Sequence, residues 1–522
     1  MSLLRGHAER YVLAAVTVVF ILLILLPLAV PAIALLGADG EQLSASLRLL
    51  QSAALWGLVL KSAVLAAAVT ALALGVGVPL GALVGRGRVW GRWWALLLHA
   101  LPIFLPPFIL ALGWFHLFGR EGLAGGAASS ALLFSPVGVI LVLGVTFAPV
   151  ATVLTVLGLR GVDPSLADAA RVAASPARVT TRILLPLARP AIGLAAIIVF
   201  ALALSEVGVA MFLRVDVYPT VVFTRLGGID YNPGEAVVLA LPLVAVTLLL
   251  VLGERWAAGG RSVSALRLGQ RHSGGGNPRS SGVLPSFVAW AAGAMSLVPL
   301  AALAWAARDG YGQVGWWLGA SLQESLVTAA VAATAIVAAG VIAGHALARG
   351  RPGGRVLDSL LVLGFVAPAA LLGVGVIGLW NRPGTQWIYG SLGIVVLGVV
   401  GRYAIFGSRV VASAVAQSPR HLEEAAAAFG AGYLRRLGWI VVPVHARGVV
   451  AAWLLTVVFV LRDLETTILI RPPGRATLPV RIFTLEANGP PGIVAALAIL
   501  HVVLTAAVVA IGAMALRPGR RA

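Results

Sequence analysis

The chain has 522 residues, 60% hydrophobic and only 11% charged, with a formal net charge of +19 and no cysteine. A soluble domain carries roughly 25% charged residues, so this composition points to lipid as the solvent. The basic excess sits in short loops between apolar runs, which excludes a nucleic-acid-binding face; the missing cysteines exclude disulfides, thiolate metal sites and cysteine nucleophiles.

Arg5 and Arg10 precede a first apolar run near 11–36. It is longer than a signal core of about 7–15 residues, so an uncleaved first span is expected. Further apolar runs lie near 54–84, 94–117, 136–159, 191–212 and 235–253, each long enough to cross a hydrocarbon core. A polar segment containing GQRHSGGGNPRSSG follows and reads as a flexible linker. Six more runs lie near 284–306, 321–347, 357–380, 389–412, 449–470 and 493–516, giving twelve expected spans. Pro102, Pro106 and Pro107 in the third and Pro368 in the ninth are expected to kink their helices. Trp90, Trp93 and Trp94 read as an interfacial aromatic belt.

Arginine placement sets the topology. Arg86, Arg88 and Arg92 follow the second span, Arg171, Arg178, Arg182 and Arg189 the fourth, Arg349, Arg351 and Arg355 the eighth, and Arg435, Arg436 and Arg447 the tenth. Twelve spans put all of these, the linker and both basic termini on one side, so both termini are expected in the cytoplasm.

The chain also matches itself. GRGRVWGR at 85–92 falls on ARGRPGGR at 348–355, and ILLPLARPAI at 183–192 falls on IVVPVHARGV at 440–449. Glu206 pairs with Asp463 at the second offset, and Lys61 with Glu324 at the first. Matched charges and prolines in apolar sequence indicate a duplication. Each copy holds an even number of spans, so the copies insert in parallel about a pseudo-twofold axis along the membrane normal, with a pathway at their interface.

The most specific motif follows the tenth span: Glu424-Ala425-Ala426, three residues, Gly430, nine residues, Ile440, one residue, Val442-Pro443. After the fourth span stands a second copy with Asp168-Ala169-Ala170, Ala174 in the glycine's place, Pro176, and Ile183-Leu184-Leu185-Pro186 after eight residues. Strong helix formers with an acidic start suit a helix N-terminus, glycine permits a sharp reversal, and the proline marks re-entry toward the next span. This pattern resembles the EAA loop of binding-protein-dependent ABC importer permeases, from which the Glu424 loop departs only by valine before the proline. RDLETTILIRPPGRATLPVRI at 462–482 is similar to the region after that loop in fused permeases of the ferric-iron and thiamine type.

The resemblance implies an all-α polytopic fold of two homologous six-helix halves, the type I ABC importer transmembrane-domain fold. The first half would be 1–258 with its core at about 54–254, the linker 259–283, and the second half 284–522 with its core at about 321–516. It implies coupling residues Asp168, Ala169, Ala170, Ala174, Pro176 and Pro186, with Glu424, Ala425, Ala426, Gly430 and Pro443. Expected partners are two cytoplasmic ABC ATP-binding subunits, which bind the ATP and Mg, and an extracytoplasmic binding protein in a bacterial inner membrane. No cofactor, metal site or catalytic residue is expected in the chain itself. A P-loop needs G-x4-GK[ST], and the sole lysine, Lys61, has no glycine pattern before it. Ferric iron is the first expected substrate; thiamine, polyamine or phosphonate are alternatives.

Charges in hydrocarbon are functional candidates by default. Glu206 and Asp463 read either as pathway residues attracting a cation or as members of structural ion pairs with Arg462 or Arg214. Lys61 and Glu324 could pair across the pseudo-twofold or snorkel to the interface. His99, His116 and His345 lack the spacing of a metal site and read as satisfied or interfacial histidines. A secondary transporter is the reading from a different class; the paired loops argue against it.

Overall fold

The computed structural model describes residues 2–37, 50–85, 89–163, 174–227, 238–257 and 282–516, with single positions 44, 48, 165, 166, 169 and 172 between them. Every regular element among these is helical, as hydrocarbon requires of a segment that must satisfy its own backbone. α1 (Ser2–Phe20) passes through a π-turn into α2 (Leu26–Leu36). There follow α3 (Ala53–Gly85), α4 (Arg92–Ala100), α5 (Pro107–Phe118), α6 (Pro136–Arg160) and α7 (Arg189–Ser205). The short α8 (Gly208–Phe212), α9 (Tyr218–Gly227) and α10 (Leu241–Ala257) complete the first series. The second comprises α11 (Val283–Ala306), α12 (Ser321–Ala348), α13 (Gly354–Val366), α14 (Ala369–Trp380) and α15 (Leu392–Ala416). It continues with α16 (His421–Ala428), α17 (Ala446–Leu461), α18 (Glu465–Ile470), α19 (Leu478–Glu486) and α20 (Pro491–Ala515).

Among the described residues seven helices are individually long and apolar enough to span a membrane, and up to eleven spans result if each bent pair counts as one. Of the twelve expected spans, with kinks expected in the third and ninth, the third, fifth, ninth and eleventh are bent pairs, at 103°, 68°, 105° and 86°. The sixth is represented by the shorter apolar helix Leu241–Gly253. Proline causes two of the breaks. Leu105, before Pro106, is extended at φ −109°, ψ 149°, and Ala367, before Pro368, takes φ −60°, ψ 131°. A residue preceding proline is driven out of the helical region by the ring's Cδ, so these helices break where a kink was expected.

The same contacts recur in both copies. α3 lies on α6 through Gly77 and Gly81, where an added Cβ would strike the backbone of Ala148 and Thr152. α12 lies on α15 through Gly340 and Gly344, closed in the same way by Gly407, Ser408 and Ala412. Each is a small-xxx-small stripe, the device that lets two helices gain dispersion contact in lipid. At the far ends of the same helices, the Ser62 hydroxyl accepts from the Tyr218 amide at 2.7 Å and Ser325 from the Leu478 amide at 2.7 Å. Each serine thereby satisfies the first turn of a short helix, α9 or α19.

The two halves of the sequence are not two separate bodies. α2 packs on α14 of the other copy, and α11 packs on α4 and α5. A methyl group on Gly375 would collide with the Pro27 carbonyl, and one on Gly113 with the Pro299 carbonyl. The first span of each half is thus exchanged onto its neighbour through the same glycine-on-carbonyl contact.

Gly113→Ala and Gly375→Ala should each overpack this seam and cost about 1–3 kcal/mol. The check is the thermal unfolding midpoint in detergent, followed by tryptophan fluorescence. Gly57→Ala, whose Cβ would meet open space, should not lower it.

Candidate functional site

The loop after α15 forms a helical elbow. α16 begins with Glu423 and Glu424 in its first turn, where carboxylates oppose the positive helix end. It stops at Gly430, which takes φ 92°. The Ala431 amide reaches the Ala426 carbonyl at 2.9 Å and the Gly430 amide that of Ala427 at 3.0 Å. These two bonds close a Schellman motif, whose left-handed position favours glycine; this is the physical sense of the glycine at that spacing. A short helix, Tyr433–Arg436, a π-turn, Leu437–Val441, and Val442–Val444 then lead to an 86° bend into α17. Glu424, Ala425, Gly430 and Pro443 are exposed and Ala426 is half-buried, so of the two glutamates Glu424 faces outward.

The first copy is described only in part. Asp168 and Ala170 lie outside the described residues, while Ala169 is exposed and Ala174 half-buried. Among the described residues, Arg214 is the one non-glycine with positive φ, so Ala174 does not take the left-handed turn of Gly430. Pro176 opens the helix Pro176–Val179, and the π-turn Thr180–Leu184 precedes Pro186 as its counterpart precedes Pro443.

Glu423 was not among the residues singled out by sequence. It is buried, and its Oε2 accepts from His345 Nε2 at 2.6 Å while Oε1 accepts from Arg349 Nε at 2.9 Å. His345 is thus a buried histidine held through Nε2 alone, its Nδ1 having no partner among the described residues, and Arg349 is more than a topogenic charge. Burial alone would raise the Glu423 pKa; His345 and Arg349 overcome it and hold the carboxyl at about 2. Two adjacent glutamates were the only local hint, because these partners lie 78 and 74 residues away.

Glu206 and Asp463 occupy matching breaks, between α7 and α8 and between α17 and α18, and line one cavity between the copies. Their environments differ. Asp463 accepts from Thr467 N and Oγ1, both at 2.9 Å, from Tyr403 Oη at 2.7 Å and from Thr466 Oγ1 at 3.0 Å. Glu206 Oε1 accepts from the Val209 amide at 3.0 Å, while its buried Oε2 finds no donor among the described residues. The Glu465 carboxyl of the other copy lines the same cavity. Two carboxyls sharing a buried cavity favour a proton or a cation near them. Arg402, deep in α15, binds Glu465 at 2.8 Å and Thr466 at 2.9 Å. Arg462 donates to the Ile103 carbonyl instead of pairing with Glu206 or Asp463. Glu324 neither meets Lys61 nor snorkels: it is buried and accepts from the Ala476 amide at 2.8 Å.

A family profile described as binding-protein-dependent transport system inner membrane component matches residues 77–258. The ferric transport system permease protein FbpB of Actinobacillus pleuropneumoniae is 23% identical over 376 residues, 66% of this chain and 54% of the relative. The molybdenum transport system permease protein ModB of Mycobacterium bovis is 35% identical over 201 residues, 36% of this chain and 74% of the relative. The putative 2-aminoethylphosphonate transport system permease protein PhnV of Salmonella paratyphi A is 29% identical over 149 residues, 28% of this chain and 56% of the relative. The chain thus spans about half the length of the ferric and aminoethylphosphonate relatives.

A carboxyl with a depressed pKa stabilises its fold above its ordinary value, near 4.5 here, and loses that contribution as pH falls through about 2. A spin label on Ala428→Cys, unique in a chain without cysteine, should therefore gain mobility across that window. In a Glu423→Gln background the label should be mobile at neutral pH as well.

Proposed function

Because the chain belongs to the family of binding-protein-dependent transport system inner membrane components, we propose that it forms the transmembrane route of an ATP-driven importer in a bacterial inner membrane. One observation carries this reading. α16 presents the exposed Glu424 in its first turn, is closed by Gly430, and is fastened through the buried Glu423 to the helices behind it. Such an elbow suits a surface on which a separate subunit pushes. Its proposed partners are two ABC ATP-binding subunits that hold ATP and Mg, and an extracytoplasmic protein that delivers substrate. The chain itself offers no P-loop lysine for hydrolysis. Glu9 of α1 pairs with Arg351 at 2.8 Å beside the elbow, which supports an N-terminus on the same, arginine-rich side.

Ferric iron is the proposed substrate. The relative named for ferric transport aligns with the largest share of the chain among the three compared. Glu206, with a buried oxygen lacking a donor among the described residues, shares the cavity between the copies with Glu465. Two carboxyls in one buried cavity can exchange a proton for a passing cation. Asp463 has no such freedom, since its oxygens are already engaged. A second reading is an oxyanion. Arg462 lines the same cavity and Arg402 stands behind Glu465, and the molybdenum and aminoethylphosphonate relatives are named for transport of such groups.

The test is uptake by proteoliposomes holding the chain, its ATP-binding subunits and its binding protein, loaded in turn with ferric iron, molybdate and 2-aminoethylphosphonate. Ferric uptake that falls at least about tenfold in Glu206→Gln, the scale of a lost charge-assisted contact, supports the cation route. Molybdate or phosphonate uptake without iron uptake supports the oxyanion. Glu424→Arg should leave the chain in the membrane yet uncouple hydrolysis from uptake; wild-type uptake by this variant would remove the docking role.

A further inference from the structure

Resting on that reading, we propose that the two elbows transmit unequally, and that Glu423 is the positioning residue through which the second one moves the spans. The carboxylate belongs to a connected polar chain. Arg349, which holds Glu423, also donates from Nη1 to the Ser418 carbonyl at 3.1 Å and from Nη2 to Ser418 Oγ at 3.2 Å. Ser418 Oγ in turn meets His445 Nε2 at 2.9 Å. His345 closes the last turn of α12, Ser418 follows α15, and His445 stands at the 86° bend before α17. A displacement of α16 is therefore delivered to three membrane helices at once. Glu423 and His345 are buried, and bonds of this kind inside protein are too costly to break one at a time, so the elbow and these helix ends move as a unit.

The first copy has no means to build this link. By the offsets of the duplication, Glu423 falls on Ala167, His345 on Ala82, Ser418 on Val162 and His445 on Ala188. Only Arg349 keeps its kind, as Arg86. Ala174 also replaces the glycine that closes the second elbow. The first elbow can offer a docking surface, but its sequence holds alanine, not a carboxylate, at the place of Glu423.

The experiment compares uptake per ATP hydrolysed for the whole reconstituted importer. In Glu423→Gln the ATP-binding subunits should still co-purify and hydrolysis continue, while uptake per ATP falls at least about tenfold, as expected for losing charge-assisted bonds. Ser418→Ala, a small change in the middle of the chain of bonds, should lower the ratio less, and Arg86→Gln should leave it unchanged. A ratio within twofold of wild type in Glu423→Gln overturns the proposal; should that variant not assemble, an unchanged ratio in Ser418→Ala overturns it. An Arg86→Gln loss equal to that of Glu423→Gln overturns the inequality. If ATP-binding subunits fail to co-purify with the unmodified chain, the importer reading itself fails, which is a separate result.

Discussion

Hydrocarbon gives two apolar helices no reason to prefer each other over lipid, so everything in this molecule depends on surfaces that let backbones come close. The glycines Gly77 and Gly81, repeated as Gly340 and Gly344, provide them within each copy. Gly113 and Gly375 provide them between copies, seating Pro299 and Pro27. These seams also explain why the first spans are exchanged. A helix such as α2, apolar almost throughout, is indifferent to its neighbours until one offers a groove floored by glycine.

Close packing alone would make a static bundle. The breaks between α7 and α8 and between α17 and α18, with the separate short helices α9 and α19, interrupt it, and each interruption leaves a helix end that needs partners. The structure meets that need with buried side chains. Ser62 and Ser325 bond the amides of α9 and α19, and Glu206 and Asp463 do the same for α8 and α18. The polar residues of the spans are thus first of all the consequence of broken helices. Chemistry is left over only where a capping group has an oxygen to spare, as Glu206 does and Asp463 does not.

Duplication and divergence act on different levels. The seams, the serine caps and the pre-proline π-turns are kept in both copies, because each copy must solve the same packing problem. The elbows have drifted apart: one has a left-handed glycine and a buried carboxylate, the other has alanine at both places. A pair of elbows on a pseudo-symmetric frame need not carry equal loads, and a chain that fuses both halves can let one of them specialise.

What could be read from the residues alone was local or repetitive. Apolar runs long enough for a bilayer, arginine-rich short loops, the duplicated offsets and the acidic-to-glycine-to-proline spacing of the elbow are all written within a few tens of residues. Prolines announced the breaks in the third and ninth spans, though not bends near 100°. Tertiary structure alone decided which copy each first span joins, why Asp463 is saturated while Glu206 is not, and that Glu423 meets His345 and Arg349. Those facts depend on side chains brought together from distant turns of the chain, and hydropathy, periodicity and charge count carry no record of such meetings.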